Sequence, residues 1–493
     1  MRMKGTILAM LTLWSAAAAI AAPAAEAETA AKHNVDKPAA EAGKKVLQAG
    51  AATSNITPWL GEAIVGNWNT PPAKHVHDEL HARCLVLDDG AARIAIVLVD
   101  SVGIPREVFD EAKRQIHEHT GLPADYVLTA ATHTHSATSF GRRAQSADKS
   151  FSDYQKFVAR RVSDGVRRAI NNLEPARVGW GTADEPRQVT NRRRFAKPGM
   201  SMPNPFGGQD QVHGCSVQQD LVKPAGPVDP QIVFLSVQAA DGRPIALLAN
   251  YSMHYVGEVP SQDISADYFG AFADRIQQLL GADRLDPPFV GILSNGTSGD
   301  VDNTYSQPPG RLPPYARLRH VAGDVAQGVF AQCRNLQYHD WVPLGMVQRE
   351  LELAVRKPTA EQLARARELL ADPQRPDKLP HEREYAHRIV KQQEAPATVR
   401  VIVQALRIGD LGIASSPFET FAETGLEIKA KSPLKPTCTI ELANGSYGYL
   451  PTPEQHKLGG YETWLGTNKV EIEASTKLTA ALLDMLGELE RAK

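Results

Sequence analysis

Short runs of aliphatic and β-branched residues alternate along the chain with segments of helical period. "ARIAIVLVD", Ala92–Asp100, is apolar almost throughout, the pattern of a buried strand. "PREVFDEAKRQIHEHTG" follows, with Pro105 at a helix start and Gly121 at its stop. Val108, Ala112, Ile116 and His119 fall near one face of that helix. "DYVLTAATH" is a second strand, which completes a strand–helix–strand unit. A helix over Tyr154–Asn172 and the strand "ARVGW" repeat the alternation.

"PQIVFLSVQ" and "RPIALLANYS" read as adjacent strands joined by "AADG". "ADYFGAFADRIQQLLG" is a helix with a glycine stop, and "FVGILSNG" another buried strand. Pro314–Cys333 is helical, and Glu361–Leu370 with Arg383–Gln393 form two polar helices, a surface excursion. "TVRVIVQALRIGDLGIASS" is a hairpin around Gly-Asp, "FETFAETGLEIKAKS" a helix, "TCTIELAN" a strand, and Glu471–Arg491 a final amphipathic helix. The alternation predicts an α/β fold: a layered mixed β-sheet with flanking helices and an active site at strand-end loops. There is no internal repeat and no Gly/Ser linker. Pro- and Gly-rich loops gather at 196–230 and 304–314, lengths that go with function rather than with a domain boundary.

Composition narrows this little. Of 493 residues, 42% are hydrophobic and 22% charged, an ordinary globular profile. A net charge of -2 gives no electrostatic case for nucleic acid or an anionic membrane surface. The N-terminus says more. Arg2 and Lys4 precede "TILAMLTLWSAAAAIAA", and small residues follow. This predicts a cleaved export signal over 1–25, so a periplasmic or secreted protein, rather than a membrane anchor. A flexible lead-in over 26–46 and a single catalytic domain over 47–493 complete the expected organisation. Cys84, Cys215, Cys333 and Cys438 are too scattered for a cysteine zinc site. In an exported protein they are either paired or isolated thiols.

Chemistry is expected where strands end. "LTAATHTHSATS", Leu128–Ser139, delivers His133 and His135. "NYSMHYVG" delivers His254, "SNGTSGDVDN" Asp300 and Asp302, "SSPFET" Glu419, and "ANGSYGY" Tyr447 and Tyr449. Singly, each has an ordinary reading: a structural histidine, a turn aspartate, a helix-start acid. Together, two imidazoles and a carboxylate from separate strand ends are the make-up of a catalytic zinc site with a position open for water. A second imidazole, or an aspartate such as Asp300 or Asp302, would move protons. Backbone donors in "NGTSGD", from Asn295 to Gly299 and beyond, would hold an oxyanion. "NRRRF" adds a basic loop in which Arg193 is a candidate substrate clamp.

In these motifs the chain resembles the neutral/alkaline (non-lysosomal) ceramidase family and its bacterial relatives. "AGAATSNITP" is similar to the family's opening strand and turn, and "ATHTHS" to its H-T-H-S-G-P motif. "NYSMHYVGEVPSQDISADYFG" resembles the segment with a further zinc histidine. "NGTSGDVDN" resembles the N-x-G-D-x-S-P-N loop, "SSPFETFAETG" the P-x-E segment, and "ANGSYGYLPTPEQHKLGGYE" the late tyrosine-rich stretch. Order and rough spacing match from about Gln48 to about Asn468. The resemblance implies a zinc amidohydrolase acting on an N-acyl amide of small-molecule or lipid-like kind, with at most transient membrane-surface contact. It implies zinc held by His133, His254, Glu419 and Tyr449, with Tyr447 as the fallback, and His135 as the catalytic partner.

Three features depart from the family. "HSGPGG" is "HSATSF" here. The loop serine of G-D-x-S-P-N is absent, with Asp302 in its neighbourhood. The immunoglobulin-like C-terminal domain of full-length members is not expected after Asn468. Two rival functions follow. One is a two-metal esterase or phosphoesterase built on Asp100, His133, Asp300 and His254, its metals about 3.5–4 Å apart. The other is a non-catalytic exported binding protein.

Overall fold

Ile94, Ile96 and Leu98 on the strand Arg93–Val99 point to one side of a sheet, and Ala95, Val97 and Val99 to the other. All are buried, because both faces of the sheet are covered. Each aliphatic side chain removed from water this way contributes about 1.5–3 kcal/mol. Val97→Asp would place an unpaired carboxylate in that layer and break it.

A computed structural model describes residues 45–492 except 67–68, 139, 141–150, 214–220 and 304–311. The expected export signal, most of the lead-in and Cys215 lie outside the described residues. Cys84, Cys333 and Cys438 are free thiols, so the disulfide alternative fails for these three. Burial pushes the Cys84 and Cys438 thiols up to about 12.

Arg93–Val99 belongs to an eight-stranded mixed sheet. From one edge the order is Val290–Asn295, Pro244–Tyr251, Gln231–Ala239, Glu174–Asp184, Leu47–Asn55, His81–Asp88, Arg93–Val99 and Val127–Ala131. The first and last pairs are parallel; the pairs between are antiparallel. A four-stranded sheet of Leu344–Ala354, Thr398–Ile408, Leu411–Ser415 and Thr437–Ile440 packs on its inner face. Ile94, Leu235 and Ile292 from the first sheet meet Leu344, Leu406 and Ile413 from the second in one core. The outer face of the larger sheet carries Arg106–Thr120 and Asp153–Asn171 at one end, and Asp267–Leu279 and Ala316–Cys333 at the other. Ala422–Lys431 and Ala474–Arg491 cover the outer face of the smaller sheet. The chain is thus a layered α/β structure, as its alternation predicts. Among the described residues no helix is long and apolar enough to cross a membrane.

Two details differ from expectation. His119 is exposed, and Phe109 and Lys113 join Val108, Ala112 and Ile116 on the buried face instead. The strand Leu344–Ala354 has no counterpart in the apolar pattern, because only part of it is buried and its outer positions are charged.

The segment Glu441–Asn444 ties the two edges of the larger sheet together. On one edge strand Ala131 N–H donates to the Leu442 carbonyl (3.1 Å), and Asn444 N–H donates to the Thr129 carbonyl (2.8 Å). On the other edge strand the Asn295 carbonyl accepts from Glu441 N–H at 3.1 Å. Leu442 and Asn444 both take the left-handed conformation, φ 52° and 60°. The strand ends that carry the histidines lie beside this clasp.

Candidate metal centre

His133 follows the edge strand Val127–Ala131 with φ 78°, a left-handed conformation that is strained for a non-glycine residue. Its backbone N–H donates to the Ser101 carbonyl at 2.8 Å. Its Nδ1 lies 2.6 Å from the Val102 carbonyl, and that of His254 lies 3.1 Å from the Ser298 carbonyl. A carbonyl only accepts, so both rings carry their proton on Nδ1 and turn a bare Nε2 lone pair inward. The two Nε2 atoms are 2.9 Å apart, and His135 Nε2 is 3.2 Å from that of His133. Glu419 Oε2 stands 3.4 Å from His133 Nε2 and 3.7 Å from His254 Nε2. That oxygen is buried and accepts no hydrogen bond.

The Nε2 lone pairs of His133 and His254 and the orphaned Glu419 oxygen repel one another unless a cation sits between them. Two ligand atoms each about 2.0–2.1 Å from a tetrahedral zinc lie about 3.3 Å apart, which is the scale of these separations. His133, His135 and His254 therefore form a group that can bind a metal, and the orphaned Glu419 oxygen fits the same ion.

Burial is the main reason that His135 and His254 are held well below the usual histidine range. The nearby Arg192 adds to the effect, so both rings stay neutral. For Glu419, burial alone would raise the carboxyl; His133, Tyr449 and Arg192 outweigh it and hold the group below its ordinary value. The His135 ring stacks on Tyr255, with centroids 3.6 Å apart and planes 12° apart. Gly66, at φ 114°, also lies against His135; a Cβ there would come within 2.6 Å of the ring.

The histidines open onto a cavity of about 500 Å³. His135, Arg192, His254, Tyr255 and Tyr449 line its floor, and Met200, Met202, Tyr461 and Trp464 line its walls. Pro380 and His381, in the connection between the helices Ala360–Ala371 and Glu382–Glu394, also reach it.

Of the expected site residues, His133, His135, His254, Glu419 and Tyr449 come together. Glu419 and Tyr449 are direct partners in a two-residue parallel pairing. Tyr447 does not join them: its ring packs 5.8 Å from Phe418, away from the cavity. Arg193 is wholly buried, with its guanidinium on Glu462, Gln455 and the Gly459 carbonyl, so it clamps no substrate. Its neighbour Arg192 faces the cavity instead, donating to Gly299 O at 2.8 Å and to Tyr449 Oη at 3.1 Å. Gly299 N–H donates to the Thr420 carbonyl and is not free to hold an oxyanion. Asn295 does not line the cavity.

Asp300 is a frame residue. Its Oδ2 accepts from Asn191 at 2.7 Å, and its Oδ1 accepts from Ala422 N–H at 2.9 Å at the start of a helix. Burial raises its pKa to about 6. Asp302 pairs with Thr190 across Val301–Asp302 and lies off the cavity lining. Asp100 is bound to Arg83 at 2.5 Å and to His81 N–H at 2.9 Å. Both oxygens of Asp300 are engaged elsewhere, and neither aspartate belongs to the histidine group that can hold a metal, so the two-metal alternative lacks its carboxylates at the histidines.

Sequence reasoning misses Arg192, Tyr255, Glu462 and Glu441. Glu441 had a readable signal, a carboxylate inside the apolar run "TCTIELA", since such a group is almost never buried without a partner.

The chain has the ceramidase fold. It superposes on the crystal structure of neutral ceramidase from Pseudomonas aeruginosa with a TM-score of 0.65, covering 91% of this chain and 75% of that one at 17% identity. A ceramidase complexed with C2 gives a TM-score of 0.63, over 91% of this chain and 76% of that one at 16% identity. No protein-family model matches the chain.

Proposed function

We propose that the chain is an exported zinc-dependent hydrolase that cleaves an N-acyl amide bond, in ceramide or a related N-acyl compound. One observation carries this reading: three imidazole Nε2 atoms, two of them with their lone pairs turned inward, and an unpartnered carboxylate oxygen converge beside a cavity in a ceramidase fold. His133, His254, Glu419 and Tyr449 are the ligand set, and His135 is the proton carrier. A zinc ion bound there supplies Lewis acidity and, at neutral pH, an acidified water.

The remaining work belongs to the side chains. Neutral His135, stacked on Tyr255, takes on Nε2 a proton from the water whose oxygen bonds to the carbonyl carbon, and returns it to the amide nitrogen as the C–N bond breaks, leaving a carboxylic acid and an amine. Arg192 faces the cavity beside Tyr449 and stabilises the carbonyl oxygen as it gains negative charge. The cavity suits a medium-sized substrate, and Met200, Met202, Tyr461 and Trp464 give it an apolar wall for an acyl chain. The Arg2/Lys4 and alanine-rich start supports export, which places the site where N-acyl lipids of a membrane surface are within reach.

The test is metal analysis of the purified chain together with a panel of N-acyl amides that includes ceramide. About one zinc per chain is expected, with hydrolysis abolished by chelation and by His254→Ala. Protein without stoichiometric zinc, or unchanged hydrolysis in His254→Ala, would sink the reading.

A further inference from the structure

Behind the ligand side chains sits a second carboxylate. Glu441 is fully buried. Its Oε1 accepts from the Ser298 hydroxyl at 2.7 Å, and its Oε2 accepts from Thr420 N–H at 2.8 Å and Ser298 N–H at 3.2 Å. Ser298 is the residue whose carbonyl fixes Nδ1 of His254, and Thr420 directly follows Glu419. Through its own N–H, Glu441 is also bonded to the Asn295 carbonyl at the base of the loop that carries Ser298. One side chain thus grips the loop that aims His254 and the strand that aims Glu419.

We propose that Glu441 is a positioning residue that sets the spacing between the His254 and Glu419 ligand atoms. This rests on the metal reading above. The chemistry of the grip is specific. Burial pushes its carboxyl well above the usual range, yet its two oxygens remain the partners of the Thr420 and Ser298 N–H groups and of the Ser298 hydroxyl. A glutamine could keep both N–H bonds on its oxygen while its NH₂ donates to Ser298 Oγ, since a hydroxyl also accepts; Glu441→Met, of similar length, removes every one of these bonds. Partners behind metal ligands, when removed, typically cost about 10–100-fold in metal affinity.

The experiment measures zinc affinity by competition with a chelator, and unfolding of the metal-free protein, for wild type, Glu441→Met and Asp89→Asn. Asp89 is the control. It is a buried carboxylate that accepts from Ala91 and Ala92 N–H and, at 2.8 Å, from Leu344 N–H, with no contact to the site. Glu441→Met is expected to bind zinc about 10–100-fold more weakly, whereas Asp89→Asn loses stability and keeps wild-type affinity. Should Glu441→Met not fold, Ser298→Ala removes only the hydroxyl link and is expected to weaken zinc in the same direction. Wild-type affinity in Glu441→Met (or in Ser298→Ala if that variant must stand in), or an equal loss of affinity in Asp89→Asn, overturns the proposal. Wild-type protein that binds no zinc overturns the metal reading and this inference together, so the two failures are distinguishable.

Discussion

Tyr449 lies opposite Glu419 in the short parallel pairing of Tyr449–Leu450 with Glu419–Thr420, and its hydroxyl accepts from Arg192 at 3.1 Å. Backbone register therefore sets a phenol, a carboxylate and a guanidinium beside the histidines. Tyr449→Phe keeps the ring and removes the oxygen. The variant is expected to fold normally and bind zinc roughly 10-fold or more weakly, on the scale of lost metal-site partners. Chelator competition and a thermal melt check this; unchanged affinity would exclude the phenol from the ligand set.

His135 is distinguished from the other histidines by its role rather than its distance. His135→Gln is expected to retain zinc while the hydrolytic rate falls about 10²–10⁴-fold, the usual contribution of a placed acid–base group. Loss of the metal in this variant would instead make His135 a ligand.

Arg192 and Arg193 share Glu462, one on each carboxylate oxygen, at 3.1 and 2.6 Å. They are expected to fail differently. Arg192→Met should depress kcat with a modest loss of stability. Arg193→Met should strip the buried Glu462 of its shorter contact, and Gln455 and the Gly459 carbonyl of a donor, and cost about 1–3 kcal/mol of stability or more, although Arg192 still faces Glu462. Urea unfolding alongside steady-state kinetics separates the two; similar profiles would contradict the division of labour.

This pair also marks where the sequence stops being readable. The paired histidines of "THTH" follow an apolar strand, so their exit into a strand-end loop is written locally. The choice between adjacent arginines is not, because it depends on Glu462, which is distant in the chain. Asp300 reads as a site acid until Asn191 and Ala422 are seen to occupy its oxygens. The strands were legible where both faces are buried, as in Arg93–Val99, and were missed in Leu344–Ala354, where charged positions face outward.

Lys113 supplies a test that is independent of any metal. It is buried on the helix Arg106–Thr120 and donates to Asn444 Oδ1 at 2.7 Å, and burial pulls its pKa down to about 7. In the unfolded chain the ammonium titrates near 10.4. Between those values the unfolded state binds more protons, so wild-type stability should rise with pH from about 7 to about 10. The cost is full below pH 7 and is on the order of 4 kcal/mol. Lys113→Met should be more stable than wild type at pH 7, with the gap closing by pH 10. Urea midpoints at the two pH values check this; a constant gap would show that the amine is not buried as described.

Gly299 lies so close to the strand of Glu419 that a Cβ would sit 2.4 Å from the Glu419 carbonyl oxygen. Gly299→Ala is expected to displace that strand and weaken zinc binding, even though alanine carries no chemistry of its own. Gly323→Ala, with open space around its Cβ position, is the neutral comparison. Equal zinc affinity in the two variants would show that the close approach is relaxed in solution.

The clasp at Glu441–Asn444 has a consequence for assembly. His133 and His254 are synthesised early, but Glu419, the clasp and Tyr449 come near the end of the chain. Contacts of such long sequence separation form late, so a nascent chain holds imidazoles without a completed centre. A metal held by this set would then be captured only once those late segments are in place. Since nitrogen and oxygen ligands discriminate weakly among divalent ions, availability would help to decide which one is captured. The ion such a centre would hold is thus set by the compartment in which Glu419 and Tyr449 take their places.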